Sequence, residues 1–169
     1  MMRTVDRRLV RAPIARVFAA AADVERWPDL LPHYRWVRML ERNGDSSMVE
    51  MAAWRPFGPL RYPTWWVSAM TIDRAAPAVR YRHIRGITTG MKVEWGFTDL
   101  GPGGTDVTIV HEWAGPRWPL VRRPAAEWVI GPVFVHGIAS RTLAGLGEWV
   151  EGGGSQEPGV RGLQSGVGG

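Results

Sequence analysis

The order of elements in this chain follows from residues 12–45, which read APIARVFAAAADVERWPDLLPHYRWVRMLERNGD. In the first part, apolar side chains recur every three or four residues, at Ile14, Val17, Phe18 and Ala21. This spacing predicts an amphipathic helix, because side chains three and four positions apart share one helical face. Pro13 fits the first helical position, where a backbone N–H is not needed.

The apolar period changes after this helix. Asp23 is a good N-cap and predicts a second, short helix over DVERWPDLL, which Pro28 and Pro32 keep short. From His33 onward the period becomes two, which is typical of a β-strand. The Asn-Gly-Asp turn at residues 43–45 closes that strand.

Segments of period two, separated by turns rich in Gly or Pro, continue to residue 114. A first strand is predicted at residues 3–11, and the strands after the turn are predicted at residues 48–54, 61–73, 79–85, 91–100 and 106–114. Short turns between consecutive strands are what an antiparallel meander requires.

A long helical pattern follows the strands. In residues 128–149 apolar side chains step by three or four positions, and Gly131 and Pro132 are expected to kink or restart the helix. Its predicted apolar face includes Ala139, Thr142, Leu146 and Trp149. A six-strand meander cannot cover its own concave face, so this helix is expected to lie across it. The prediction is an α+β fold: a curved antiparallel sheet wrapped around a long C-terminal helix, with an internal cavity.

Length and composition predict one domain. The chain has 169 residues, enough for a single core, and residues 1–151 are predicted to form it. Residues 152–169 are Gly-rich and nearly free of large apolar groups, so a disordered tail is predicted there. Cysteine is absent, which excludes disulfides, thiolate nucleophiles and Cys-ligated metals.

Charge and hydropathy narrow the expected location and partners. The N-terminus lacks the apolar core of a signal peptide, and no apolar run is long enough to span a bilayer. A cytoplasmic location without a membrane span is therefore expected. The net charge of +5 comes mainly from arginines spread along the chain without a long run, which disfavours nucleic acid as a partner.

Counting by two assigns the strand residues to an inner or an outer face. The predicted inward residues of the last two strands are Met91, Val93, Trp95, Phe97, Val107, Ile109, His111 and Trp113. Those of the two strands before them are Thr64, Trp66, Ser68, Met70, Ile72, Val79, Tyr81 and His83. With ten tryptophans in the chain, this pattern favours an aromatic-lined cavity over a core that is merely rich in tryptophan.

Several catalytic motifs are absent. The sequence contains no HExxH, GxSxG, GxGxxG or P-loop motif, and its histidines, His33, His83, His111 and His136, show no ligand spacing. No metal or other cofactor is therefore expected. An apolar pocket with a few proton donors is suited to enolisation, aldol-type ring closure and loss of water.

The stretch at residues 12–45 resembles the opening of the START-like (SRPBCC) superfamily, in its polyketide cyclase/dehydrase and aromatase/cyclase branch. The matching residues are Ala12, Pro13, Val17, Phe18, Asp23, Glu25, Trp27, Pro28 and Tyr34, with Trp66, Val67, Ser68, Gly86 and Trp95 further along. The resemblance covers residues 5 to about 150 and implies the helix-grip fold. It also implies a role in polyketide cyclisation and antibiotic biosynthesis, although the superfamily includes carriers.

The resemblance implies roles for individual residues. In that branch a cavity tyrosine, an arginine on the long strand and wall tryptophans are thought to orient and protonate the folded polyketone. Tyr34, Trp66 and Trp95 match by position, but Met70 stands where the arginine is expected. His111 is predicted to supply the proton donor instead, because an imidazole near neutral pH can both give and accept a proton. A hydrogen-bonded core histidine is the alternative interpretation.

The predicted site has two catalytic residues, Tyr34 and His111. Its predicted substrate-binding residues are Trp27, Trp66, Met70, His83, Met91, Trp95, Ile109 and Trp113. Arg55 and Arg82 can be surface charges or functional groups. The expected ligand is a small hydrophobic or polyketide molecule, and an acyl carrier protein and a homodimer are left open as partners. The alternative function is non-catalytic binding or transport of a quinone or lipid.

Overall fold

The computed structural model describes residues 1–57, 59–115 and 132–154. The strands are β1 (Met2–Val10), β2 (Tyr34–Asn43), β3 (Ser46–Phe57), β4 (Leu60–Asp73), β5 (Ala78–Gly86), β6 (Lys92–Asp99) and β7 (Thr105–Trp113). The α-helices are α1 (Ile14–Ala22), α2 (Trp27–Leu30) and α3 (Pro132–Glu151), and 3-10 turns lie at Val24–Arg26 and Gly101–Gly103. The predicted order of a strand, short helices, six strands and a long helix is confirmed.

The strands of the described residues form one seven-stranded antiparallel sheet in the order β1-β7-β6-β5-β4-β3-β2. Strands β2 to β7 form the predicted meander. β1 pairs with β7 along its whole length, from Met2 opposite Trp113 to Val10 opposite Thr105. This pairing places the N-terminal strand at one edge of the sheet and β2 at the other.

The starts of the N-terminal helices differ from the prediction. Pro13 has φ −60° and ψ 143°, an extended conformation, so it lies just before α1 rather than within its first turn. The predicted capping role of Asp23 is wrong, because its side chain makes no capping hydrogen bond. Asp23 instead ends α1, with its backbone N–H donating to the carbonyl of Ala19.

The inner face of the sheet follows the predicted alternation. Every second residue of β7 is buried: Thr105, Val107, Ile109, His111 and Trp113. In β6, Val93, Trp95 and Phe97 are buried, whereas Lys92 and Glu94 are exposed. The face assignments made by counting in twos are therefore correct for these strands.

Helix α3 covers the inner face with side chains spaced by one helical turn. Ala139, Thr142, Leu143, Leu146 and Val150 are each at most 5% exposed. Trp149, predicted on this face, is instead only partly buried, and the Arg26 guanidinium lies 5.4 Å from its ring centre. Val150 takes the buried position because an α-helix has 3.6 residues per turn.

Two predictions about the C-terminal part fall wholly or largely outside the described residues. They are the kink or restart of the helix at Gly131 and Pro132, and the disorder of residues 152–169, of which the structure describes only residues 152–154. The structure shows α3 beginning at Pro132. Of the helices that the structure describes, none has the length and apolar character needed to cross a membrane.

Gly86 allows a close approach between β5 and β4. It pairs with Trp66, and the register shifts between Val67 and Ser68. Gly86 has φ 97°, a conformation that glycine adopts without strain. A Cβ atom at this position would overlap the carbonyl oxygen of Trp65 and lie 2.8 Å from the Trp66 Cα. The glycine therefore sets the backbone position of a tryptophan on the inner face.

Candidate functional site

A cavity with a free volume of about 70 Å³ lies between the inner face of the sheet and α3. Eight predicted site residues lie at its wall: Trp27, Tyr34, Trp66, His83, Met91, Trp95, Ile109 and His111. Pockets that hold small organic ligands usually measure roughly 300–1,000 Å³. A ligand of that size can therefore bind only if side chains of the wall move aside.

Met70 and Trp113, the other two predicted binding residues, are not among the residues that line the cavity. Met70 is 3% exposed and packs within the hydrophobic core. The Trp113 indole N–H donates to the carbonyl of Thr89 at 3.0 Å and so holds the β5–β6 loop. Counting by two identifies inward side chains, but part of the inner face is filled by core packing.

Aromatic rings form a connected wall of the cavity. The ring centre of Trp27 lies 5.2 Å from that of Tyr34 and 5.6 Å from that of Trp95. The rings of Tyr34 and Trp66 are 6.4 Å apart. The Trp27 indole also donates to the carbonyl of Ala20 at 3.2 Å, which fixes α2 against α1. Contacts of this kind hold the rings in place and offer flat apolar surfaces to a ligand.

The hydroxyl group of Tyr34 lies at the cavity beside α3. Thr142 donates a hydrogen bond to it at 3.4 Å. Burial raises the pKa of Tyr34 to about 12, and the hydrogen bond with Thr142 partly opposes that shift. The phenol therefore keeps its proton at neutral pH and can act as an acid or a hydrogen-bond donor.

His111 projects inward from β7, opposite Val93 of β6. Its Nδ1 atom has no hydrogen-bond partner among the residues that the structure describes. Burial lowers the pKa of His111 to about 4, and the positive charge of Arg55 contributes. At neutral pH the imidazole is therefore uncharged, which differs from the expectation of a group that titrates near pH 7. It can accept a proton or donate its N–H.

His83 is held more firmly than His111. Its Nδ1 atom lies 2.6 Å from the hydroxyl oxygen of Thr88, and its ring stacks on Trp66 at 5.8 Å with an 18° angle between planes. Burial, followed by the charges of His111 and Arg55, lowers the pKa of His83 to about 3. This histidine is neutral and oriented, which suits a fixed donor or acceptor.

From the sequence, Arg55 and Arg82 can each be a surface charge or a functional group, and the structure gives them different positions. Arg55 on β3 is 7% exposed and lines the cavity, whereas Arg82 on β5 is exposed. Burial lowers the pKa of Arg55 to about 9, so the guanidinium stays protonated at neutral pH. The cavity thus contains an arginine from β3, although Met70 occupies the position where the resemblance expects one on β4.

Other lining residues were not predicted as site residues. They are Met51, Tyr81, Thr88, Val93, Ile138, Ala139 and Thr142. Tyr81 and Val93 had been placed on the inner face, and Ala139 and Thr142 on the apolar face of the helix. Met51 and Arg55 share one face of β3, so counting by two from Met51 would have placed Arg55 inward.

Comparisons with known proteins agree with this architecture. A bifunctional cyclase/dehydratase of the granaticin polyketide synthase from Streptomyces violaceoruber is 32% identical over 104 residues, which cover 60% of this chain and 31% of that protein. The chain thus matches less than a third of that relative. A putative polyketide cyclase from Streptomyces halstedii is 31% identical over 97 residues, covering 56% of this chain and 86% of that protein.

A solved structure has the same fold. The Zhui aromatase/cyclase from Streptomyces sp. R1128 superposes with a TM-score of 0.72 at 21% identity, covering 90% of this chain and 97% of that one. The seven-stranded sheet and C-terminal helix are thus the predicted helix-grip (START-like) fold. The family model for polyketide cyclase / dehydrase and lipid transport matches residues 10–133. The chain belongs to this polyketide cyclase/dehydrase and lipid transport family.

Proposed function

We propose that the chain is a polyketide cyclase/dehydrase that binds a poly-β-ketone in its cavity and promotes ring closure and loss of water. One observation carries the proposal: a protonated phenol, Tyr34, and an uncharged imidazole, His111, line the same aromatic cavity. Ring closure needs one group that takes a proton from carbon and one that gives a proton to oxygen.

The proposed step balances with these two groups. His111 accepts a proton from a methylene flanked by two carbonyls, and the resulting enolate carbon forms a bond to a ketone carbon elsewhere in the chain. The ketone oxygen takes the proton of Tyr34 and becomes a hydroxyl. The imidazolium then protonates this hydroxyl, which leaves as water, while a neighbouring C–H proton restores the phenol. The net change is one carbon–carbon bond formed and one water lost.

The aromatic wall supports the proposed folding of the substrate. Trp27, Trp66 and Trp95 present flat apolar faces around Tyr34. A polyketone that is bent between these faces has its reacting carbons close together. Binding has then already restricted the substrate, so less entropy is lost in the cyclisation step itself. An acyl carrier protein is the proposed donor of the substrate, and the chain's net charge of +5 favours an acidic partner of that kind.

Binding and transport of a hydrophobic ligand is the second candidate function. Two observations favour it: the family description includes lipid transport, and Met70 stands where the resemblance expects an arginine. A carrier needs the apolar wall but needs no proton transfer between its ligand and Tyr34 or His111. The two functions therefore differ in whether Tyr34 and His111 affect chemistry or only affinity.

Product analysis after reconstitution tests the proposal. A carrier protein loaded with a poly-β-ketone is incubated with and without this chain, using several chain lengths. The proposal predicts that the chain shifts the products towards one cyclised, dehydrated compound. Product profiles that are identical with and without the chain, at every length, would favour the transport function.

A further inference from the structure

Tyr81 on β5 is a buried tyrosine that the proposed reaction step does not use. It is 7% exposed and lines the cavity. Its neighbours across the sheet, Met70 on β4 and Val93 on β6, are both apolar. The hydroxyl oxygen of Tyr81 has no hydrogen-bond partner within the described part of the chain. A phenylalanine would fill the same space without enclosing an unpaired polar group, which destabilises a fold.

The other hydroxyl, imidazole and guanidinium groups at the cavity differ from that of Tyr81. Those with a hydrogen bond or another interaction partner are Tyr34, Arg55, His83, Thr88 and Thr142. The Nδ1 atom of His111 is also unpaired, but the proposed step already uses that imidazole as a base. Because buried polar atoms are normally paired, the remaining hydroxyl group, that of Tyr81, is expected to pair with the ligand.

Tyr81 keeps its proton and lies near Tyr34. Burial, followed by the electrostatic effect of Tyr34, raises the pKa of Tyr81 well above the usual value of a phenol. The hydroxyl group is therefore a hydrogen-bond donor at neutral pH. The two phenols line one cavity and are close enough to influence each other, so one ligand can contact both. The Tyr81 oxygen is enclosed by its neighbours, and a ligand reaches it only when wall side chains move, as the small free volume already requires.

We infer that Tyr81 is a second oxygen-binding residue of the cavity, whose hydroxyl group donates to a ligand oxygen other than the one held at Tyr34. The preferred ligand then carries at least two oxygen groups on an apolar frame. The inference rests on the use of the cavity as the ligand site in the proposed function, and it adds a residue that positions the ligand. In a poly-β-ketone the carbonyl groups lie on alternate carbons, so holding two of them determines which carbons meet in ring closure.

Binding of naphthalene and three dihydroxynaphthalenes tests the inference without turnover. The probes are the 1,3-, 1,6- and 2,6-isomers, in which the second oxygen lies progressively further from the first. Dissociation constants are measured by calorimetry at pH 7 for wild type and for Tyr81→Phe, which removes only the hydroxyl group. At least one isomer should bind roughly 3- to 10-fold more weakly to the variant, the range for one net hydrogen bond. Naphthalene should bind within about twofold of wild type, since the aromatic wall is intact.

Two further variants assign the effect to a separate oxygen at Tyr81. Ser68→Ala is the matched control: Ser68 is also buried with an unpaired hydroxyl oxygen among the described residues, but it does not line the cavity. This variant should bind every probe like wild type. Tyr34→Phe should weaken binding of the same dihydroxy isomer. In the double variant of Tyr34 and Tyr81 the two losses should multiply, because each phenol holds its own oxygen.

A measurement without ligand checks the unpaired hydroxyl group itself. Tyr81→Phe removes an enclosed polar group that has no partner, so its melting temperature should exceed that of wild type by roughly 2–4 °C. A lower melting temperature would overturn the inference, since the hydroxyl group would then have a partner within the fold.

The binding data overturn the inference if Tyr81→Phe and wild type bind all three isomers equally, if no isomer binds, or if the double variant loses no more affinity than one single variant. These outcomes are separate from the test of the cyclase proposal. Conversion of a polyketone, with probe binding unaffected by Tyr81→Phe, would reject only the present inference. Weaker probe binding in Tyr81→Phe, with no conversion by wild type, would reject only the cyclase proposal.

Discussion

The hydroxyl group of Thr142 lies 2.9 Å from the Nε2 atom of His33, so a hydrogen bond joins α3 to the residue before β2. The same hydroxyl donates to Tyr34 at 3.4 Å. His33 is only partly buried, and burial followed by the charge of Arg141 lowers its pKa to about 4. A neutral imidazole and two hydroxyl groups thus form a hydrogen-bonded path from the cavity towards the surface. Hydroxyl groups both donate and accept, so a proton can pass along this path in either direction.

Replacing Thr142 by valine should weaken proton transfer by the Tyr34 hydroxyl group while leaving that group in place. Thr142→Val keeps the side chain's size but removes the hydroxyl that links Tyr34 to His33. We expect kcat for polyketone conversion to fall roughly 5- to 30-fold, equivalent to about 1–2 kcal/mol. Thr142→Ser, which keeps the hydroxyl, should stay within about threefold of wild type. Equal rates in Thr142→Val and wild type would show that the path is not used.

Gly86→Ala should destabilise the protein and disturb the wall at Trp66. The added Cβ meets the backbone of Trp65 and Trp66, and φ is 97°. Both effects strain the folded state, so we expect the free energy of unfolding to fall by about 2–3 kcal/mol. Urea denaturation measures the change. Gly90→Ala is the control, because Gly90 also has positive φ but its Cβ would meet no atom within 4 Å. The loss should be clearly smaller there.

Acid should destabilise the fold through its buried histidines. Burial lowers the pKa of His111 to about 4 and that of His83 to about 3, whereas an unfolded histidine titrates near 6.5. The unfolded state therefore binds more protons, and stability is lost as the pH falls from about 6.5 through these folded values. For each of these histidines, the free energy of unfolding should fall by about 2 kcal/mol between pH 7 and pH 5.

Urea titrations at several pH values measure this acid dependence. His111→Gln removes one of three histidines with a lowered pKa, the others being His83 and His33, and should flatten the dependence by about a third. An unchanged pH dependence in His111→Gln would mean that His111 is protonated equally easily in the folded and unfolded states.

The inward residues of β6 and β7 were predictable because charged side chains at alternate positions, such as Lys92, Glu94 and Glu112, mark the outer face of those strands. The helical spacing in α3 likewise predicted the burial of Ala139, Thr142 and Leu146, but it placed Trp149 on the buried face where the structure has Val150. The aromatic wall followed, since Trp66 and Trp95 share the inner face of the sheet. Local sequence patterns do not predict which distant strands pair. The pairing of β1 with β7 is therefore known only from the structure.

The polar groups of the site were harder to predict. Arg55 is an arginine near a turn, and residue type alone favours the surface for it. Its burial depends on the pairing of β3 with β4, where it lies opposite Tyr62. Met70 and Trp113 point inward as predicted, but which inward side chains reach the cavity depends on three-dimensional packing. The low pKa of His111 likewise depends on its surroundings in the fold, including Arg55 from another strand.

The most direct test of the account compares the rate of polyketone conversion with the affinity for a cyclised aromatic product in Tyr34→Phe and His111→Ala. If these side chains transfer protons, each variant should react roughly 10²–10⁴-fold more slowly, the usual effect of losing a general acid or base. Affinity for the product should change by about 1 kcal/mol or less, because the tryptophan wall supplies most of it. Tyr62→Phe, which alters an exposed tyrosine of β4, serves as the control and should react like wild type. Wild-type rates in both cavity variants would contradict the assignment of Tyr34 and His111 as the proton-transfer pair.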